Sequence, residues 1–241
     1  MQHTRADAPR NGCCAREQGM KTIRIVLWVV VIVVAATTAG VYVGQTFLSP
    51  PSQSPAAGLA AAVSRSQYTD AGGPFRLVDT AGADVTEKDL RGKPLAVFFG
   101  FTHCPEVCPT TLFDAHGWLE ALGDDADKLQ VAFISVDPER DTPDILGQYV
   151  KAFDDRILGL TARTEDEIAE VAERFKVRYE KVPLKNGDYT MNHTADMLLF
   201  DAEGTYAGFI PYMPLPMRVD ETVAEREKNR VVDQLRELVA S

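Results

Sequence analysis

Leu95 to Phe101 reads LAVFFGF, a run without a single polar side chain. Successive residues of a strand point to opposite faces, so a strand of this composition must be covered on both sides. That demands a layered fold, with other elements packed above and below a central sheet. Val131 to Val136 (VAFISV) is a second run of this kind, broken only by one hydroxyl. Between and after these runs lie segments with helical period. Pro109 to Leu122 sets Leu112, Ala115, Leu119 and Leu122 close to the 3.6-residue spacing. Thr142-Pro143 offers an N-cap followed by a proline at the first helical position, for a helix reaching about Phe153. Thr164 to Glu167 and Thr222 to Glu225 both match the capping box and open helices to about Phe175 and Val239. Pro74 to Asp79, Arg156 to Leu160, Lys176 to Val182, Asp196 to Phe200 and Thr205 to Ile210 read as strands, with turns at Ala81-Gly82 and Asp201 to Gly204. Strands alternating with helices, then a hairpin and a terminal helix, define an α/β layered domain. At 241 residues and 45% hydrophobic, the chain can bury a core without disulfides in its place.

Directly after the first apolar run comes GFTHCPEVCPTTL, with Cys104 and Cys108 four apart. Cys104 falls in the loop at the carboxyl edge of a central strand, where sheets of this kind place their ligands. On a helical turn, positions i and i+4 share a face, so both sulfurs can converge on one point. Pro105 and Pro109 stiffen the segment, and the following helix aims its N-terminal dipole at the sulfurs, which favours thiolate. Three readings stand side by side. A structural disulfide would close a very short loop and remove little chain entropy. Thioredoxin-type redox exchange normally uses two intervening residues rather than three, and Asn192 to Asp196 lacks the proline that thioredoxins place before the next strand. Metal binding needs a further ligand.

His193 is the candidate for that ligand. It precedes the apolar strand ending at Phe200, much as Cys104 follows Leu95 to Phe101, so a layered fold can bring both to one edge. Two cysteines with one imidazole form a soft set of low coordination number. Such a set suits Cu(I), and through thiolate covalency Cu(II), better than structural zinc with its four closed ligands. Among the other polar residues, His103 is read as packing beside Cys104, and His116 as a solvated helix residue. Asp137, after the second apolar run, either fixes a turn by hydrogen bonds or orients a ligand or docks a partner. Met213 and Met217 are read as hydrophobic plugs in a proline-rich loop, with thioethers as a secondary copper option.

Upstream, Ile25 to Gly44 is twenty residues long and uncharged, the length a helix needs to cross a bilayer core. Residues 1–24 carry five Arg/Lys against two Asp/Glu, so the positive-inside rule keeps them cytoplasmic and sends the body across the membrane. A cleaved signal peptide is the competing reading; the apolar run continuing through Val41, Tyr42 and Val43 favours an uncleaved anchor. Residues 1–19 precede what already reads as a complete start at Met20-Lys21, and are taken as a dispensable extension; Cys13 and Cys14 lie there without a motif. Residues 45–73, rich in Pro, Ser, Ala and Gly, read as a flexible tether, and residues 74–241 as the compact domain. That domain has nineteen Lys/Arg against thirty-two Asp/Glu. An acidic body without a basic stripe argues against a nucleic-acid partner.

Three ordered segments carry a family resemblance: FFGFTHCPEVCPTTL (Phe98 to Leu112), FISVDPERDTP (Phe133 to Pro143) and DYTMNHTADMLLFDAEG (Asp188 to Gly204). They resemble the SCO/SenC copper chaperones of cytochrome c oxidase assembly. The resemblance implies a thioredoxin-like fold, a central mixed β-sheet flanked by helices, preceded by one N-terminal transmembrane helix in the inner membrane with the C-terminal domain in the periplasm. It implies copper ligation by Cys104, Cys108 and His193, with Asp137 at the position of the family's aspartate after the second strand. It implies delivery of copper to the CuA-bearing subunit of the oxidase, with an upstream copper donor that the sequence does not identify. One departure stands out: an aspartate is common just before the ligand histidine, and here Asn192 occupies that place, so no carboxylate is available there to raise ligand basicity. The rival function is a thiol-disulfide oxidoreductase that reduces the CuA cysteines or senses redox state, using Cys104 and Cys108 without His193. A peroxidase-like relative is a third option, against which the CxxxC spacing and the added histidine both speak.

Overall fold

The computed structural model describes residues 67–214 and 219–241, together with the two helical positions Trp28 and Val33. The expected anchor therefore lies outside the described residues apart from those two positions. Among the described residues no helix is long and apolar enough to cross a membrane.

Among the described residues, nine strands and four α-helices form the body. In chain order they are β1 (Arg76–Asp79), β2 (Asp84–Thr86), β3 (Leu95–Gly100), α1 (Val107–Leu122), a 3₁₀ turn (Gly123–Lys128), β4 (Gln130–Ser135), α2 (Pro143–Lys151), β5 (Ile157–Thr161), α3 (Glu165–Arg174), β6 (Tyr179–Pro183), β7 (Tyr189–His193), β8 (Met197–Phe200), β9 (Tyr206–Ile210) and α4 (Glu221–Ala240). Seven strands make one mixed sheet in the order β2-β1-β5-β4-β3-β8-β9, with β3, β4 and β5 parallel and the flanking pairs antiparallel. Among the described residues β6 and β7 pair only with each other. Every residue of β3 and of β8 is buried, as a strand covered on both faces requires. Phe98, Phe99, Phe133 and Phe200 sit at this centre, each contributing roughly 1.5–3 kcal/mol by burial. Outside the sheet, α4 packs on α1, α2 on β5, and α3 on β1.

Helix starts follow the local chemistry, with two corrections. Thr142 caps α2 by accepting from the Ile145 N–H, with Pro143 next in line, and Thr164 caps α3 by accepting from Glu167 N–H. At α4, however, the cap is Asp220, which accepts from the N–H groups of Thr222 and Val223, rather than Thr222. A carboxylate takes both orphan donors at once, which a hydroxyl two residues later cannot do. Helix α1 begins at Val107 rather than Pro109, because a proline is tolerated anywhere in a first turn whose N–H groups lack helical partners. Cys108 thus belongs to the helix. The single strand expected over Lys176 to Val182 is one arm of a hairpin whose other arm ends at His193. Within residues 67–73, expected as part of the tether, Tyr68 and Ala71 are buried: Tyr68 is 1% exposed and donates to Asp196 Oδ2 at 3.0 Å, and Gly72 N–H bonds the Arg174 carbonyl. The packed body thus reaches upstream of Pro74 at least as far as Tyr68, whose aromatic ring and partnered hydroxyl hold an otherwise small-residue segment.

Candidate metal centre

Three elements meet at the carboxyl edge of β3. The loop after β3 supplies Cys104, the first turn of α1 supplies Cys108, and the last residue of β7 supplies His193. One ligand atom from each lies within 4.8 Å of the other two. Cys108 Sγ stands 3.5 Å from His193 Nε2, and the Cys108 N–H donates to Cys104 Sγ at 3.4 Å. Neither cysteine is in a disulfide; Cys108 is buried and Cys104 half-buried. Sequence reasoning placed these three residues together on a shared edge, and the structure brings them together there, with His193 delivered by a hairpin arm rather than by a loop.

The two sulfurs differ sharply in acidity. Donation from the Cys108 thiol, with help from the backbone N–H groups of Cys108 and Glu106, brings Cys104 down to about 4 against the opposing cost of burial. Burial pushes the Cys108 thiol well above its ordinary value, and the neighbouring Cys104 sulfur adds to this. The unloaded site is therefore a thiolate beside a thiol at neutral pH. His193 is oriented for ligation: its Nδ1 lies 2.9 Å from the Thr194 carbonyl, which can only accept. The proton thus sits on Nδ1, leaving the Nε2 lone pair facing the sulfurs. Asn192, exposed on the same strand, takes no part in this. The carbonyl of Thr194 fills the outer role for which a preceding carboxylate was lacking. The edges of Phe98 and Phe101 hold the imidazole at ring-centre distances of 6.0 and 5.8 Å.

Several residues that support the site went unmarked in the sequence. A Cβ on Gly100 would lie 2.6 Å from Cys108 Sγ and 2.7 Å from a Phe133 ring carbon, so only glycine leaves room for the sulfur. A lone glycine inside an apolar strand is the available signal of such close approach. Asp141, fully buried, accepts from Thr102 N–H (2.9 Å), Thr102 Oγ1 (2.6 Å) and Ser135 Oγ (2.6 Å), pinning the loop that carries Cys104 to the end of β4. Burial raises its carboxyl above the ordinary range.

Asp137 is 3% exposed. Its carboxylate accepts from Arg140 Nε (2.5 Å) and from the Tyr189 hydroxyl (2.9 Å), and its carbonyl closes the turn with Arg140 and Asp141. The turn-fixing role holds and extends to the hairpin. His103 bonds the Thr102 hydroxyl at 3.1 Å and does not join the cluster. His116 is not simply solvated: its Nδ1 donates to the buried Asp154 at 2.8 Å, and Arg156 bridges Asp154 and Glu120. Met213 lines a groove of about 840 Å³ between α1 and α4, together with Phe113, Trp118 and Tyr212, while Met217 lies outside the described residues.

A mixed α/β sheet that presents two sulfurs and an imidazole at the carboxyl edge of its central strand defines a thioredoxin-like protein built for soft-metal or thiol chemistry. Within that class the chain belongs to the SCO1/SenC family, whose model matches residues 63–226. It is 42% identical over 139 residues to mitochondrial protein SCO2 of Saccharomyces cerevisiae, covering 56% of this chain and 46% of that one. It is 39% identical over 145 residues to the mitochondrial SCO1 homolog of Homo sapiens, covering 57% and 46%. The chain thus spans about half the length of these relatives. Among solved structures it is similar to ScoI of Bradyrhizobium japonicum with copper bound (46% identity, TM-score 0.57, 64% of this chain and 98% of that one). It is also similar to yeast Sco1 with copper bound (34% identity, TM-score 0.55, 63% and 94%).

Proposed function

We propose that this chain is a copper chaperone, tethered by an N-terminal membrane helix with its α/β domain in the periplasm, that delivers copper to the CuA site of cytochrome c oxidase. One observation carries the reading: Cys104 Sγ, Cys108 Sγ and His193 Nε2 converge within 4.8 Å, with the imidazole tautomer already set for ligation. Similar proteins solved with copper bound support copper as the ion. Two thiolates and one imidazole would hold Cu(I), and Cu(II) in a second state.

Each residue has a distinct task in that cycle. Cys104 is half-exposed and already ionised, so it is the first sulfur an incoming ion meets and the last an acceptor must displace. Cys108 is buried and must lose its proton before it can ligate, which anchors the loaded ion in an apolar surrounding. His193, at the end of a separate hairpin, completes the set. Three ligands at a partly open edge leave a position for a sulfur of the acceptor, so transfer proceeds by ligand exchange. The membrane tether would raise the donor's effective concentration at a membrane-embedded acceptor.

The alternative is a thiol-disulfide oxidoreductase acting on the CuA cysteines, favoured by the nucleophilic Cys104 thiolate beside Cys108. The two readings part at His193→Ala. Anaerobic titration of the reduced protein with Cu(I) and Cu(II), alongside oxidase activity in cells, is the test. Loss of both copper stoichiometry and oxidase activity supports the chaperone. Intact oxidase maturation by a variant that binds no copper would replace it with the reductase.

A further inference from the structure

The hairpin that ends in His193 stands apart from the main sheet, since among the described residues β6 and β7 pair only with each other. Among the described residues no main-chain ladder ties the hairpin to the main sheet, so beyond the short link of residues 194–196 into β8, side-chain contacts set how far the imidazole stands from the sulfurs. The crossing point is Tyr189, in the same strand as His193. Its hydroxyl donates to Asp137 Oδ1 (2.9 Å), its carbonyl accepts from Arg140 Nη1 (3.0 Å), and its ring lies 3.7 Å beneath the Arg140 guanidinium carbon. Arg140 is in turn fixed by its Nε bond to Asp137 Oδ2. The same guanidinium lies 5.9 Å from the ring of Phe101, whose edge meets the His193 ring. Strand β6 adds Lys181, 4.0 Å from the Tyr189 ring and paired with Glu139 at 2.7 Å. Tyr189 and His193 are four residues apart, on one face of the strand and about 13 Å apart along it. A tilt at the tyrosine end displaces the imidazole at the other.

We infer that Asp137, Arg140 and Tyr189 form a clamp that positions the hairpin so that the His193 imidazole stays against Cys104 and Cys108. Arg140 is thus a positioning residue for the ligand set. The functional meaning of the clamp rests on the copper reading above; its geometry does not.

The test uses the full-length reduced chain with Arg140→Met and with Tyr189→Phe. The metal-free readout is the NMR resonances of the His193 ring C–H groups, which the aromatic edges of Phe98 and Phe101 shift away from free-imidazole positions. Arg140→Met should move them toward those positions while resonances of β3 and β4 stay in place, and should weaken Cu(I) binding about tenfold in competition with a chelator, the low end for loss of a ligand-orienting partner. Tyr189→Phe, which removes one hydrogen bond and keeps the ring, should move them in the same direction by less. If removing Arg140 beside a buried Asp137 prevents folding, Tyr189→Phe decides alone. Unmoved His193 resonances in a folded variant overturn the clamp. A wild-type chain that binds no copper overturns the copper reading instead, and the resonances then judge the clamp by themselves.

Discussion

Cys108 Sγ and His193 Nε2 stand 3.5 Å apart although 85 positions separate them in the chain. One sits in the first turn of a helix, the other at the open end of a hairpin arm, and Cys104 Sγ accepts a 3.4 Å hydrogen bond from the Cys108 N–H. The chemistry of the site follows from this meeting and from the unequal burial of the two sulfurs.

Alkylation should report that inequality. With its thiol brought down to about 4, Cys104 is ionised throughout the neutral and mildly acidic range. Its reaction with iodoacetamide in the reduced, metal-free protein should stay nearly constant as pH falls from about 7 to about 5, whereas an ordinary thiol loses roughly tenfold in rate per unit below its pKa. Cys108, buried and held protonated, should remain unmodified. Mass mapping of the modified site checks this; equal labelling of both, or a tenfold fall per unit for Cys104, would refute it.

Proton release on metal loading should be close to one per Cu(I). Cys104 enters as thiolate and only the Cys108 thiol must ionise. Calorimetric titration in two buffers of different ionisation enthalpy measures the count, and a value near two would show that the unloaded pair is not the thiolate and thiol described here.

Gly100→Ala should damage both fold and site. The new methyl would press on the Cys108 sulfur and the Phe133 ring, both of them fully buried. Overpacking of this kind costs about 1–3 kcal/mol, read from urea unfolding, and should weaken copper binding in the same variant. Wild-type stability with full copper affinity would mean that the sulfur does not occupy the space the glycine leaves.

Asp154→Asn should destabilise the domain in a pH-dependent way. Hydrogen bonds from Arg156, and a further one from His116, hold the Asp154 carboxyl well below the usual carboxylate range. A depressed carboxylate stabilises the fold fully above its unfolded value, about 3.9, and loses that contribution as pH falls toward the lower folded value. The difference between wild type and variant, about 1–3 kcal/mol, should be constant from neutral pH down to about 4 and shrink below it. A gap that persists unchanged at lower pH would contradict the charge-assisted account.

Most of the sheet was legible in the sequence because buried strands such as Leu95 to Gly100 and Met197 to Phe200 are apolar on both faces, and that pattern is local. The cysteine pair was legible for the same reason, since four residues of spacing on a helical turn determine a shared face. Strand β7 was not: Tyr189 to His193 is half polar, belongs to a sheet of only two strands, and alternates too weakly to announce itself. The Asp220 cap hid behind a better-known pattern two residues later. Gly100 was visible only as an oddity whose meaning needed the sulfur beside it.

Composition and spacing alone determined the layered α/β body, the acidic surface and the two sulfurs at a strand's carboxyl edge, because each depends on neighbours within a turn or a strand. The distance from imidazole to sulfur, the tautomer set by Thr194, the split between a thiolate and a buried thiol, and the hold of Arg140 on Tyr189 were decided by tertiary structure. Hydrogen bonds, desolvation and ring contacts act between atoms a few ångströms apart, whatever their separation along the chain.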